Sequence, residues 1–284
     1  MTGEELLALT TKLVNALRAE NVPAIGFVNE RKLYKTDETD VRIKTLSLWL
    51  DAGFELGNHT FGHASLNHVP LNVWEEEVIR GETVTKLLMY QHHKKLRYFR
   101  HPYLDVGRDL QTRREAEAFL VSRGYSIAPV TMDAWDWMFG GLYDDAHTRG
   151  DKALEDRLVV EYLDYTTKIF DCYEKLSRNL FGYEPPQVLL LHGNWLEADH
   201  IGDLIELLRK RGYAFVSLDD ALSDGAYSSP DEFVGAEGSG WLEHWAITRG
   251  QPPQDTPVFP QWVIDKANAL PKSPPEPAIF LMAP

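Results

Sequence analysis

Two histidines, His59 and His63, stand four residues apart in HTFGH, within a stretch that is otherwise small or aromatic. Neutral imidazoles at this spacing suit a divalent ion such as zinc. The same spacing also arises by chance in a chain with ten histidines. It is not the zincin helix signature, since Thr60 stands where that chemistry needs a glutamate base. The preceding Gly57-Asn58 reads as a tight turn that aims both rings at one point.

Three further groups of residues have chemical potential. In FRHPY (99–103), Pro102 ends the ladder and restricts its neighbour, which leaves Arg100 either on the surface or fixed to clamp a carboxylate. MDAWDW (132–137) sets Asp133 and Asp136 among Trp135 and Trp137, and reads as a surface loop stapled by indoles or as the wall of a site. In VLLLHG (188–193), His192 follows four apolar residues at the end of a buried run, a position suited to a histidine with a tuned pKa.

The elements that must hold these residues alternate. Leu6, Leu9, Leu13 and Leu17 recur at helical spacing behind a Thr2–Glu5 capping box, so the chain opens on an amphipathic helix. Strand-like runs follow at AIGFV (24–28), FELGNH (54–59), RYFRHPY (97–103), SIAPVTMD (126–133), QVLLLHG (187–193) and AFVSL (214–218). Helical periodicity occupies residues 40–52, 72–90, 109–123, 151–180 and 199–211. Such alternation indicates βαβ units and a parallel sheet, whose chemistry collects at the carboxyl ends of the strands. His59, Arg100 with Tyr103, Asp133 and His192 end four successive strands. After about residue 225 the pattern stops, and nine of the sixteen prolines lie in 251–284. Phe259, Trp262, Ile264 and Phe280 indicate that this segment packs along the domain. The expected division is therefore 1–225 for the domain and 226–284 for a Pro-rich extension.

The 284 residues are 44% hydrophobic with a formal net charge of −14, so a general attraction to nucleic acid or anionic lipid is not expected. The basic run at 209–212 reads as a solvated helix end. A lone cysteine, Cys172, excludes an intramolecular disulfide and a cysteine-based zinc site. No apolar run is long enough for a transmembrane helix, and the first twenty residues lack a signal-peptide core.

In order along the chain, HTFGH, RHPY, DAWDW and VLLLH resemble the metal-binding and catalytic motifs of the polysaccharide deacetylase family, the NodB homology domain of carbohydrate esterase family four. The resemblance covers roughly residues 1–225. It implies an α/β fold, a distorted (β/α) barrel, that removes N-acetyl or O-acetyl groups from a carbohydrate polymer with a divalent metal, zinc being the first expectation. Its implied partner is a carbohydrate bearing acetamido groups. By the same resemblance, His59 and His63 are metal ligands, Arg100 orients the base, and the backbone N–H of Tyr103 stabilises the oxyanion. His192 is the general acid, tuned by Asp133 or Asp136. Trp135 or Trp137 walls the site, and with Trp195 these indoles offer a sugar platform.

One motif of the family is absent. Its Asp-Asp strand, which supplies a base and a third ligand, belongs before the first helix, where this sequence has only Met1 and Thr2. Asp144-Asp145 and Asp219-Asp220 stand in loop or helix-start contexts. The first strand of the barrel is accordingly expected to be missing, through a start at an internal methionine, and to leave an open slot beside AIGFV. Family members that act on cell-wall sugars are usually extracytoplasmic, so a periplasmic or secreted location is the implied expectation, with any export signal in the missing segment. Two other readings stand beside the hydrolase: a non-catalytic carbohydrate-binding relative, and an amidohydrolase acting on a small amide, for which the 138–180 insert would narrow the rim. The oligomeric state is left open.

Overall fold

A computed structural model describes residues 1–251 and 256–270. The first helix, α1 (Gly3–Ala19), is capped as expected: the Thr2 side chain accepts from Glu5 N–H and the Glu5 carboxylate accepts from Thr2 N–H. Its apolar stripe of Leu9, Leu13 and Leu17 is buried. Parallel strands then alternate with helices: β1 (Ile25–Val28), α2 (Thr39–Asp51), β2 (Glu55–Asn58), α3 (Leu71–Arg80), α4 (Thr83–Gln91), β3 (Tyr98–Phe99), α5 (Leu110–Ser122) and β4 (Ser126–Ile127). These strands form one sheet in the order β1-β2-β3-β4, with Ile25 opposite Glu55 and Val28 opposite Asn58. A second parallel pair joins β5 (Met132–Asp133) to β6 (Leu189–Leu190). Between these two strands run α6 (Asp136–Arg149) and α7 (Lys152–Phe181); α8 (Trp195–Lys210) and α9 (Leu218–Leu222) follow β6. The architecture is α/β with parallel strands, as the alternation indicated, in the distorted-barrel arrangement that the resemblance implied.

Several boundaries differ from the sequence reading. Residues 126–133 are not one strand: β4 and β5 belong to separate sheets, and the four residues between them turn the chain from one to the other. The 72–90 helix is two, broken at Gly81, where an added Cβ would meet the backbone of Thr60 and Phe61 at 2.6–2.7 Å, so only glycine lets α3 end against the His59 loop. Residues 214–217 have no strand pairing at all. The basic residues of 209–212 do close α8 at the surface, with Arg209 and Lys210 largely exposed in pairs with Glu20 and Glu206, while Arg211 is more covered between Asp171 and Glu174.

The reason AFVSL fails to pair lies in the closure of the barrel. Among the described residues, β1 is paired on one side only, with β2, and β6 only with β5. Between them opens a cavity of about 2600 Å³. On the side facing α1 and α8 its walls are apolar, with Leu6, Leu9 and Leu13 from α1, Leu189–Leu191, and Ile201, Leu204 and Ile205 from α8. Residues 213–217 line the same space. A strand ladder is missing where a closed barrel would have one, and the unpaired edge of β1 presents its N–H and C=O groups to the gap.

The segment after residue 225 is not wholly loop-like, for it carries α10 (Trp241–Thr248) and α11 (Gln261–Ala269). Phe280 lies outside the described residues. The segment is fastened at several points. Asp231 takes a bidentate bond from Arg113 of α5 at 2.7 and 2.9 Å and a third from His244 at 3.1 Å, while Trp241 N–H donates to the Val130 carbonyl at 2.7 Å. Arg113 and His244, both buried, hold the Asp231 carboxyl far below its usual range against the opposing effect of burial. A depressed carboxyl stabilises the fold above its unfolded-state pKa, and that contribution fades as pH falls below about 4. Asp231→Ala strips the buried Arg113 of its bidentate partner, leaving it only the more exposed Glu117, and leaves the buried His244 without a carboxylate, and should cost roughly 3 kcal/mol at pH 7. Urea unfolding of the full chain measures it, and the difference from wild type should shrink in acid.

Candidate active site

The rim at the carboxyl ends of the strands gathers most of the expected residues. His59, His63, Arg100, Tyr103, Asp133, Trp135, Trp137 and His192 all line the large cavity, so the open slot and the rim are one continuous space.

His59 follows β2 directly. Its Nδ1–H donates to the Arg100 carbonyl at 2.7 Å, which fixes the tautomer and leaves Nε2 as a lone-pair donor. The His63 ring stands edge-on to it, with centroids 4.8 Å apart. The turn that brings them together is not Gly57-Asn58, which belong to β2. Thr60 and His63 instead take left-handed backbone conformations at φ 62° and 64°. Asn58 anchors this turn through Oδ1, which accepts Thr60 N–H at 2.9 Å, and Glu77 accepts Gly62 N–H at 2.6 Å. Gly57 has a different use: a Cβ there would meet the Phe27 ring at 2.4 Å, so glycine lets Phe27 lie across the strand.

Burial first, then the neighbouring His63, pushes the His59 pKa far down; burial and then Lys32 push His63 down to about 4. Both rings are neutral at physiological pH, the form in which imidazole binds metal. Two donors are half of a tetrahedral set, and among the described residues no three His, Cys, Asp or Glu side chains converge to hold an ion.

Arg100 is the anomaly. Its side chain is buried, stacks over Phe27 at 4.3 Å, and donates through Nε to the Ala128 carbonyl at 3.4 Å. It makes no ion pair among the described residues, and burial lowers its pKa to about 10 against the pull of Asp133. A buried guanidinium without a bound carboxylate is costly. The two Asp-Asp pairs do not relieve it. Asp144 and Asp145 lie in α6, and Asp219 is held by Arg97 and Tyr98 at the amino end of β3, opposite the rim.

The expected acid is better provided for. Asp136, at the first turn of α6 and fully buried, accepts His192 N–H at 2.7 Å and its Nδ1–H at 2.8 Å. Asp136 is thus the direct tuning partner; Asp133 instead accepts Trp135 N–H at 2.8 Å and acts on His192 only through its charge. Burial works against the imidazolium, but the bond to Asp136, its charge and that of Asp133 outweigh it and raise the His192 pKa. The ring is 46% exposed and its other nitrogen has no hydrogen-bond partner among the described residues.

Tyr103 takes a left-handed backbone at φ 58°, and its ring stands 4.4 Å from His63. The segment from the extension braces it: at Gly238 a Cβ would lie 2.2 Å from the Tyr103 carbonyl. Trp135 and Trp137 stack at 6.3 Å with about half their surface exposed. Trp195 does not join them; it stacks on His147 at 4.5 Å, because α8 turns it toward the α6 side.

Sequence reasoning missed three residues of this neighbourhood. Phe27, the platform beneath Arg100, reads only as an apolar strand residue. Glu243 lines the cavity from α10, where no site element was expected. Glu197 follows Asn194 by three residues and so looks like an exposed first-turn acid, yet it is buried.

Residues 5–119 match the family model described as polysaccharide deacetylase. Over that span, about two fifths of its length, the chain is similar to polysaccharide deacetylases. Solved structures with a similar fold include a carbohydrate esterase family four pseudoenzyme from Bacillus anthracis, at TM-score 0.51 and 15% identity, covering 76% of this chain and 61% of that one. A mutant of that pseudoenzyme with restored enzymatic activity matches at TM-score 0.52 and 16% identity, with 76% and 63% covered. The chain therefore spans less than two thirds of the length of these relatives, and identities this low speak to the fold alone. No curated protein matches.

The Asp136–His192 pair has a direct test. Imidazole NMR should show His192 titrating above the ordinary histidine range, and Asp136→Asn should bring it back to or below that range. A raised folded-state pKa stabilises the protein below pH 6.5, and this is lost as pH rises through the folded value. The stability difference between Asp136→Asn and wild type should therefore be greatest in mild acid.

Proposed function

We propose that the chain carries the scaffold of a metal-dependent carbohydrate deacetylase whose catalytic set is completed by an acidic strand seated in the slot beside β1. The observation that carries this reading is Arg100, a buried cation without an ion pair, facing the same cavity as two neutral imidazoles. A strand entering parallel to β1 would pair its open edge. Each leucine-sized side chain it buried against α1 and α8 would contribute roughly 2 kcal/mol. An aspartate pair at its carboxyl end would then meet Arg100 and the His59–His63 rings.

In the completed site His59 and His63 would hold a divalent ion, for which zinc is the first choice; bound there, it would polarise the acetyl carbonyl and the attacking water. Arg100 fixes the base carboxylate. The Tyr103 N–H, held by its left-handed backbone, is offered to the developing oxyanion. His192, kept protonated by Asp136, donates to the departing amine. Trp135 and Trp137 give a flat, half-exposed face on which a sugar ring can lie. The pseudoenzyme relative, active again as a mutant, supports the idea of a scaffold that survives the loss of part of its chemistry.

The test is acetate release from N-acetylglucosamine oligomers. The 284-residue chain alone should release little; the chain joined to an upstream strand ending in Asp-Asp should release it in a chelator-sensitive way. Absence of a general base is worth roughly 10²–10⁴-fold. His59→Ala in the completed protein should abolish release and lower zinc content. Robust release by the 284 residues, unchanged by chelators, overturns the reading. The stacked Trp135–Trp137 pair favours one alternative, a sugar-binding platform without catalysis. Oligomer binding to both proteins with no release from either would select it.

A further inference from the structure

Beneath the Asp136–His192 pair lies a second carboxyl that the mechanism above does not use. Glu197 sits in the first turn of α8 and is 1% exposed. Its backbone N–H donates to the Asn194 side chain at 2.9 Å, as in a helix cap. The reciprocal half of a capping box is absent, because neither Glu197 carboxylate oxygen has a hydrogen-bond partner among the described residues. Two more buried hydroxyls without partners, Tyr162 and Thr166, come from the same region of α7. The carboxyl is buried close to Asp136 of α6 and Tyr162 of α7, at the wall of the large cavity. Asn194 links it to the dyad: its amide nitrogen lies 3.4 Å from Asp136 Oδ2, and Gly140 leaves room for it, since a Cβ there would stand 2.2 Å from that nitrogen.

The charge balance of this unit decides what Glu197 can be. Asp136, with two bonds from His192 and one from Asn194, is fully satisfied as a carboxylate, and the imidazolium of His192 balances it. Glu197 has no cation. The titratable groups that face it are Asp136 from α6, which disfavours a second negative charge, and Tyr162 from α7, whose hydroxyl favours one but is outweighed by burial and Asp136. A buried, unpaired carboxylate beside another carboxylate gives up its charge by taking a proton. We propose that Glu197 is a protonated carboxyl that acts as a positioning residue for the Asp136–His192 dyad, so that its loss of a proton at alkaline pH adds a negative charge that retains the proton on His192. This rests on the reading of His192 as the acid of the site.

The direction of the tuning agrees with the geometry: burial, then Asp136, raises the Glu197 pKa to about 8. For an acid so raised, the folded state binds a proton that the unfolded state has released, so stability falls as pH climbs from the ordinary glutamate range to about 8. As the two sites interact, their protons leave in steps that belong to the pair.

The experiment follows His192 by imidazole NMR in the 284-residue chain and in Glu197→Gln, which keeps the shape but can never ionise. In wild type the His192 transition should be broadened toward high pH; in Glu197→Gln it should be a single step with its midpoint shifted to lower pH. Thermal melts should coincide at pH 5, with Glu197→Gln melting higher at pH 9. If that variant does not fold, the glutamate carboxyl resonances of the wild-type chain decide instead, with one carboxyl titrating near pH 8. Identical His192 curves in two folded proteins, or no glutamate titrating above its ordinary range, overturn the proposal. Neither readout needs acetate release, so a failed deacetylase reading and a failed Glu197 assignment give different results.

Discussion

A guanidinium in the protein interior must find an anion, and among the described residues Arg100 has no ion-pair partner. It rests on Phe27 and a single carbonyl, with Asp133 acting on it only through space. Everything that makes the site coherent points toward that unbalanced charge. The His59 ring is fixed by the Arg100 carbonyl, Phe27 lies over Gly57 to support the guanidinium, and the slot opens between β1 and β6 beside them. The apolar walls of the slot and the open edge of β1 ask for a strand, while Arg100 and the two neutral imidazoles ask for carboxylates. One structural element could satisfy both demands.

The rim otherwise divides its electrostatics. On the β2 side, burial strips charge from His59 and His63 and leaves them as neutral donors. On the β5–β6 side, Asp136 keeps charge on His192, while Glu197 below gives its own up. His192 differs from the other two in having a carboxylate hydrogen-bonded to its ring, whereas burial, and then His63 for His59 and Lys32 for His63, push the pKa of those rings down. The extension contributes from outside the alternating units. It braces the Tyr103 loop through Gly238 and is itself tied to α5 by the Arg113–Asp231–His244 cluster.

Much of this was legible in the sequence, because strand ends are marked by abrupt changes from apolar to polar residues. AIGFV, FELGNH and VLLLHG place β1, β2 and β6, and the residues that end them reach one cavity. What the sequence concealed depends on partners distant in the chain. AFVSL has strand composition, but a strand needs a neighbour, and its neighbour is the empty slot. SIAPVTMD looked continuous because β propensity does not say where a chain leaves one sheet for another. Trp195 resembles Trp135 and Trp137 in type, yet the direction of α8 turns it against His147. Glu197 has the sequence of an exposed capping residue, and only the packing of α6 and α7 around α8 buries it.

The central claim is that Arg100 and the imidazole pair await carboxylates carried by a strand in the slot. Calorimetric titration of zinc into the 284-residue chain, alone and with a saturating strand peptide ending in Asp-Asp or in Asn-Asn, tests it most directly. The acidic peptide should tighten zinc binding by at least about tenfold, as expected from a third ligand, roughly 1.4 kcal/mol or more, with no such gain from the amide peptide. Equal zinc affinity with both peptides and with none would contradict it.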